Sequence, residues 1–150
     1  MECLLIDDFS NELFQKAFKE YFRELKMEVD DWNSLFESMN SQGGNLAYLW
    51  LDNEEVIGFL EFRIEKTEHW FITEDFGFVR EFWIKSNYRN QTLGTKLLDK
   101  VENYFIENQI FKVLLTTDTA PSFYLKNGYR LAKSYSSLNK DPVYFKQLEL

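Results

Sequence analysis

The chain has one cysteine, Cys3, and one histidine, His69, in 150 residues. A single cysteine cannot close an intrachain disulfide, which suits a reducing, cytoplasmic setting. A zinc site built from cysteines and histidines cannot be assembled, and no Ser-His-Asp or Cys-His pair forms without His69. His69 lies in the polar run Thr67-Glu68-His69-Trp70 and reads as a solvated turn residue. Cys3, in Cys3-Leu4-Leu5-Ile6, reads as a packing thiol. Basic residues are also scarce: 17 Lys and Arg against 25 Asp and Glu give a formal charge of -8. A general nucleic-acid binder needs a basic surface to displace counterions, so that class is excluded. The longest wholly apolar run, Leu46 to Leu51, falls far short of the ~20 residues of a membrane-spanning helix. No basic segment leading into an apolar run and a small-residue cleavage site opens the sequence, so neither a membrane nor a secretory route is expected.

What the chain does have is core-forming residues. Hydrophobic residues make up 45% and aromatics 18%, which excludes a disordered or low-complexity protein. No repeat, linker or composition shift divides the sequence, and the length suits one domain over residues 1–150.

Leu4, Leu5 and Ile6 predict a short first strand. Ser10 or Asp8 then caps a helix whose Leu13, Ala17, Phe18, Tyr21, Phe22 and Leu25 recur at helical spacing. Asp30 and Asp31 open a second helix with Trp32, Leu35, Phe36 and Met39 on one side, and Gly43-Gly44 breaks it. Strands follow at Leu46 to Leu51 and Val56 to Ile64, joined by a turn at Asp52-Asn53, and a third at Phe76 to Ile84 after the polar stretch around Glu68 to Asp75. These three form an antiparallel meander. A helix over about Leu93 to Glu107 turns Leu93, Leu97, Leu98, Val101, Tyr104 and Phe105 one way, with Lys96, Asp99, Lys100 and Glu102 on the other side. Phe111 to Leu115, short and apolar apart from Lys112, reads as a strand buried on both faces. Its crossover from Phe76–Ile84 through a helix makes the two parallel. Pro121 sits in the first turn of a last helix, Gly128 ends it, and Tyr129–Ser137 with Pro142–Leu148 closes the chain as a hairpin. That hairpin either pairs with a second chain, giving a homodimer, or is covered by its own.

Chemistry concentrates in two places. One is the strand Phe76–Ile84, the loop Lys85–Thr92 and the helix after it. A helix N-terminus offers unpaired N–H groups and partial positive charge, a ready site for pyrophosphate. Gly94 lets the backbone approach such a group, and Arg89 and Lys96 add positive charge in an acidic protein. The plainer reading is an ordinary strand-to-helix turn. There is no G-x-x-x-x-G-K-[ST] loop, no G-x-G-x-x-G after the first strand and no G-x-S-x-G elbow. The other place is Ala120-Pro121-Ser122-Phe123-Tyr124-Leu125-Lys126-Asn127-Gly128-Tyr129. Phe123 and Tyr124, being adjacent, point to different sides of their helix, one into the core and the other toward a cleft. A buried tyrosine with a satisfied hydroxyl is the plainer reading of Tyr124.

Together these features resemble the GNAT family of acetyl-CoA-dependent N-acetyltransferases. The family's cofactor loop reads Gln or Arg, two residues, Gly, one residue, then Gly or Ala. Arg89-Asn90-Gln91-Thr92-Leu93-Gly94 fills it, with Thr92 in place of the central glycine. Glu81-Phe82-Trp83-Ile84 matches the family's preceding strand end, and Phe123-Tyr124 with Gly128-Tyr129 its late motif. The resemblance covers roughly Val56 to Leu131. It implies an α/β (α+β) domain with a mixed, mostly antiparallel central sheet of about seven strands, a βαβ crossover and helices on both faces.

It further implies direct transfer of an acetyl group from acetyl-CoA to a primary amine of a small molecule or peptide, without a metal. The cofactor-binding residues it implies are Phe82, Trp83 and Ile84 for the pantetheine arm and acetyl carbonyl, backbone N–H groups of Arg89, Asn90, Gln91, Thr92, Leu93, Gly94 and Thr95 for the pyrophosphate, and Thr117 and Phe123. An alkyl amine of pKa ~10.4 is free base in only about one molecule per few thousand at pH 7, so a carboxylate must take its proton. Glu81 is the candidate base, with an ion pair or substrate binding as its other readings, and Tyr124 is the candidate acid for the departing thiolate. A left-handed backbone at Thr92 would strain a β-branched residue; with φ below zero its hydroxyl could donate to phosphate instead. Asn90 tolerates either. The acidic balance favours a cationic acceptor, and Asp30, Asp31, Glu37, Glu65, Glu74 and Asp75 flank the acceptor side in this family, although each also reads as a solvated surface charge. The alternatives are a non-catalytic acyl-CoA-binding module of the same fold and an interaction protein that binds no CoA.

Overall fold

The computed structural model describes residues 1–149. Seven strands hydrogen-bond in the order β1-β2-β3-β4-β5-β7-β6. They are β1 (Glu2–Ile6), β2 (Leu46–Asp52), β3 (Glu55–His69), β4 (Ile72–Ile84), β5 (Lys112–Thr116), β6 (Arg130–Leu131) and β7 (Val143–Gln147). The helices are α1 (Glu12–Glu24), α2 (Trp32–Gln42), α3 (Leu93–Glu107) and α4 (Pro121–Lys126). The mixed, mostly antiparallel sheet and the strand-helix-strand crossover agree with the sequence reading. The chain forms two compact units, Met1–Phe62 with Glu81–Lys100, and Arg63–Arg80 with Val101–Leu150.

In the first unit β1 pairs antiparallel with β2, and β2 with β3, the second register slipping between Trp50 and Leu51. The turn between β2 and β3 sits one residue later than the sequence suggests, because Asn53 and Glu54 both take positive φ, the signature of a tight hairpin. Helix α1 is capped by Asn11 rather than Ser10 or Asp8: its side-chain oxygen accepts from Phe14 N at 3.0 Å. Asp8 is occupied instead with the Ser10 N–H at 2.9 Å. Of the expected face of α1, Ala17 and Phe18 are buried and Tyr21 and Phe22 pack against the core, while Leu13 and Leu25 are exposed and Phe14 is buried instead. Asp31 caps α2, accepting from Ser34 N at 3.2 Å and Ser34 Oγ at 2.7 Å, and those bonds hold its carboxyl below the ordinary range. Phe14 and Phe18 meet Phe59 of β3 in a cluster of aromatic rings that also includes Trp83, and Phe36 of α2 packs on Phe14 and Phe18.

In the second unit β5 pairs in parallel with β4, Gly77 opposite Val113 and Phe78 opposite Leu114, as the crossover requires. It pairs antiparallel with β7 on its other side. The closing hairpin is shorter than expected, since only Arg130 and Leu131 pair with β7. The polar stretch Glu68 to Asp75 is mostly strand rather than loop: β3 and β4 extend to a tip at Trp70 and Phe71, whose side chains are almost fully exposed. Glu102 also departs from expectation. It is buried, not on the outer face of α3, because Tyr129 OH donates to it at 2.9 Å and Lys146 Nζ at 2.8 Å. A buried carboxylate is tolerable only with such partners.

Candidate active site

Strand β4 delivers Glu81, Phe82, Trp83 and Ile84 at its end. Alternation along a strand puts Glu81 and Trp83 on one face and Phe82 and Ile84 on the other. Glu81 is half-buried and accepts a hydrogen bond from Tyr21 OH of α1 at 2.5 Å. Trp83 is buried against Phe59, and its indole N–H has no partner among the described residues.

The chain then leaves the strand through Lys85, whose N–H donates to Ile57 O at 2.8 Å, and a short 3₁₀ turn at Ser86–Tyr88. Lys85 is paired with Glu55 and lies 3.8 Å from Glu20; the Glu55 hydrogen bond raises its pKa. Tyr88 OH donates to Asp52 at 2.7 Å, which raises the pKa of the phenol. Arg89 donates from Nε to Ile84 O at 2.7 Å and from Nη2 to Glu24 at 2.7 Å. Its guanidinium therefore braces the loop against β4 and α1. The exposed Lys96 is the other basic residue the sequence placed at this helix end.

Between Arg89 and α3 the backbone is unusual. Asn90 and Thr92 both have φ of 63°. For asparagine that is a tolerated conformation; for a β-branched threonine it is strained. The Thr92 hydroxyl is turned onto its neighbour, donating to Gln91 O at 2.5 Å. The first of the two backbone conformations weighed for Thr92 is thus the observed one. Thr92 O accepts from Lys96 N at 3.1 Å, the first turn of α3. The N–H groups of Leu93, Gly94 and Thr95 lie ahead of that bond, where a helix supplies no partner of its own. Trp50 Nε1 donates to Leu93 O at 3.3 Å and fixes the start of α3 against β2.

In the second unit the parallel ladder ends at Phe78 and Leu114 among the described residues, so Leu115 and Thr116 continue beyond it. Thr117 donates its N–H to Pro142 O at 3.3 Å, and its hydroxyl oxygen accepts from Ala120 N at 3.1 Å, which sets the entry to α4. Of the aromatic pair, Phe123 is half-buried and Tyr124 is buried. The Tyr124 ring lies edge-on to Phe123 at 5.2 Å and to Tyr129 at 5.6 Å. Gly128, with φ of 91°, ends α4 as expected and lets Tyr129 N return to Tyr124 O at 3.0 Å. Of the six acidic residues proposed to flank the acceptor, three have structural partners: Asp31 caps α2, Glu65 pairs with Arg63 at 2.6 Å, and Glu74 pairs with Lys112. Asp30, Glu37 and Asp75 are exposed. Sequence reasoning missed Tyr21, Glu24 and Glu102 as polar partners; each reads as part of a helix face, and only the fold supplies the group it meets.

The profile of the Acetyltransferase (GNAT) family matches residues 8–129, most of the chain and all of the loop just described. The chain belongs to the GNAT acetyltransferase family. It is accordingly an acyltransferase of the N-acetyltransferase class. A comparison with curated proteins gives no match. Solved structures share the fold at low identity. An acetyltransferase of the GNAT family from Staphylococcus aureus Mu50 superposes with a TM-score of 0.72 at 21% identity, over 99% of this chain and 100% of its own. An aminoglycoside 6'-N-acetyltransferase complexed with coenzyme A gives 0.75 at 16% identity, over 100% of this chain and 98% of its own. The PaiA N-acetyltransferase from Thermoplasma acidophilum in complex with coenzyme A gives 0.64 at 16%, over 98% and 99%. No helix of the described residues is long and apolar enough to cross a membrane, and no cluster among them could hold a metal ion.

Proposed function

We propose that this GNAT protein, as one cytoplasmic domain over residues 1–150, moves an acetyl group from acetyl-CoA to a primary amine of a small, cationic molecule or a peptide. The observation that carries the reading is the Arg89–Thr95 segment in a chain of this family: two left-handed residues followed at once by the open N–H groups of a 15-residue helix. Those amides suit a diphosphate, as partial positive charge and aligned donors make a helix start an anion site. Similar folds solved with coenzyme A support the same cosubstrate. Backbone groups of Phe82, Trp83 and Ile84 take the pantetheine arm and acetyl carbonyl, with Thr117 and Phe123 contributing to the same ligand.

In this reading the neutral amine nitrogen attacks the thioester carbon. An N–C bond forms, the C–S bond breaks, Glu81 takes the amine proton, and Tyr124 protonates the leaving thiolate to give coenzyme A. A formal charge of -8 favours a cationic acceptor by long-range attraction. The test is a thermal melt with and without acetyl-CoA, followed by thiol release on an amine panel. A ligand at a hundredfold excess over Kd adds about 2.7 kcal/mol, so the melting temperature should rise. Binding without turnover on any amine would favour the acyl-CoA-binding module. No shift at all would exclude both readings.

A further inference from the structure

Tyr21 lies in the last turns of α1, 60 residues from Glu81 in sequence, yet its hydroxyl is 2.5 Å from Glu81 Oε2. The ring has little freedom to be elsewhere. It packs against Phe18 at 5.9 Å, Phe22 at 5.6 Å and Phe59 at 5.6 Å, the last nearly perpendicular. Phe59 in turn packs on Trp83 at 5.9 Å, and Trp83 shares its strand face with Glu81. A rigid aromatic frame thus holds one phenol in place, and the phenol holds one carboxylate oxygen. A carboxylate has about four acceptor sites over two oxygens, so this bond fixes the group without using up its capacity to accept another proton.

We infer that Tyr21 is a positioning residue, holding the Glu81 carboxylate in the orientation from which it takes the proton of the acceptor amine. The inference rests on the reading of Glu81 as the base. A side chain of three rotatable bonds at the end of a strand would otherwise sample several rotamers, and misplacing a catalytic group by ~1 Å can cost about a hundredfold in rate.

The test is a double-mutant cycle on the full chain, with thiol release from acetyl-CoA measured on spermidine, kanamycin and a peptide with a free N-terminus. Tyr21→Phe keeps the ring and its packing and removes only the hydroxyl. It should lower kcat by ~10-fold or more while the KM for acetyl-CoA and the melting temperature stay at wild-type values. In the Glu81→Gln background the same change should cost nothing further in rate, because the amide can still accept from the hydroxyl but cannot take the proton that the hydroxyl positions Glu81 to take. A wild-type kcat in Tyr21→Phe, or equal losses in both backgrounds, would overturn the positioning role while leaving Glu81 as base. Full activity in Glu81→Gln would instead overturn the base and, with it, this inference. Turnover on none of the three amines would overturn the transfer reading on which both depend.

Discussion

Thr92 occupies a left-handed conformation that glycine would adopt freely, and Thr92→Gly puts a magnitude on that strain. With φ of 63°, the threonine pays about 1–2 kcal/mol that a residue without Cβ does not. It recovers little in exchange, since the side chain is exposed and its hydroxyl reaches only the carbonyl of Gln91. Glycine carries an opposing term of roughly 0.5–1 kcal/mol from the freedom it has in the unfolded chain. The difference leaves the variant about 0–1.5 kcal/mol more stable, up to ~6 °C in melting temperature for a chain of this size. Because the missing Cβ also lets the backbone come closer to an anion, acetyl-CoA should bind at least as tightly. Urea unfolding and calorimetric titration read both quantities. A variant destabilised by 1 kcal/mol or more would refute the left-handed backbone, and weaker binding would show that the Thr92 hydroxyl touches the ligand. Asn90→Gly, at the same φ, should change stability less, because asparagine tolerates the conformation.

Three other outcomes follow from the geometry. Tyr124→Phe should lower turnover by ~10²-fold or more with acetyl-CoA affinity unchanged, as steady-state kinetics and calorimetry would show; a wild-type rate would remove the phenol as acid. Gly77→Ala should destabilise the protein by ~1–3 kcal/mol in urea unfolding, since a Cβ there would lie 2.6 Å from the Phe105 ring in a filled core; no loss would mean that ring moves freely. The Glu74–Lys112 pair should stabilise over a defined pH window. The hydrogen bond from Lys112 holds the Glu74 carboxyl below its ordinary value, so its contribution is present above that value and lost as pH falls through the depressed one. The same bond raises Lys112, whose contribution is present below the ordinary lysine value and lost as pH rises through the raised one. The stability gap between wild type and Glu74→Gln should therefore be widest between about pH 4.3 and 10.4, close toward stronger acid and shrink in salt. A gap indifferent to acid would contradict the pairing.

The elements that could be read from sequence are those in which one strong local pattern acts alone. Helix α3 runs from Leu93 to Glu107 as expected because Leu97, Leu98, Val101 and Phe105 form an unbroken buried stripe. Strand β5 is equally plain, because the apolar triplet Val113-Leu114-Leu115 at its centre is buried. Where two local signals competed, sequence chose wrongly. Asp8, Ser10 and Asn11 are all good caps, and the choice fell to Asn11 because Asp8 bonds Ser10 N and Asn40. The stretch from Glu68 to Asp75 reads as loop by polarity, yet an exposed hairpin arm needs no apolar alternation to keep its ladder. Glu102 looked like an outward charge because its partners, Tyr129 and Lys146, lie 27 and 44 residues away. The cofactor loop was legible from residue types and spacing; its left-handed backbone at Thr92 was not, because threonine at that position argues against the conformation it takes. The Tyr21–Glu81 contact had no sequence signal, as it depends on how α1 packs on the strands beneath it.

The claim most open to direct measurement is that the backbone amides at the start of α3 grip the diphosphate of acetyl-CoA. Backbone amide resonances followed through an acetyl-CoA titration would report each donor separately. The largest shifts should fall on Gln91, Thr92, Leu93, Gly94 and Thr95, and should be reproduced by coenzyme A without the acetyl group. If acetyl-CoA binds while those five amides stay where they are, the diphosphate is held elsewhere and the site assigned here is wrong.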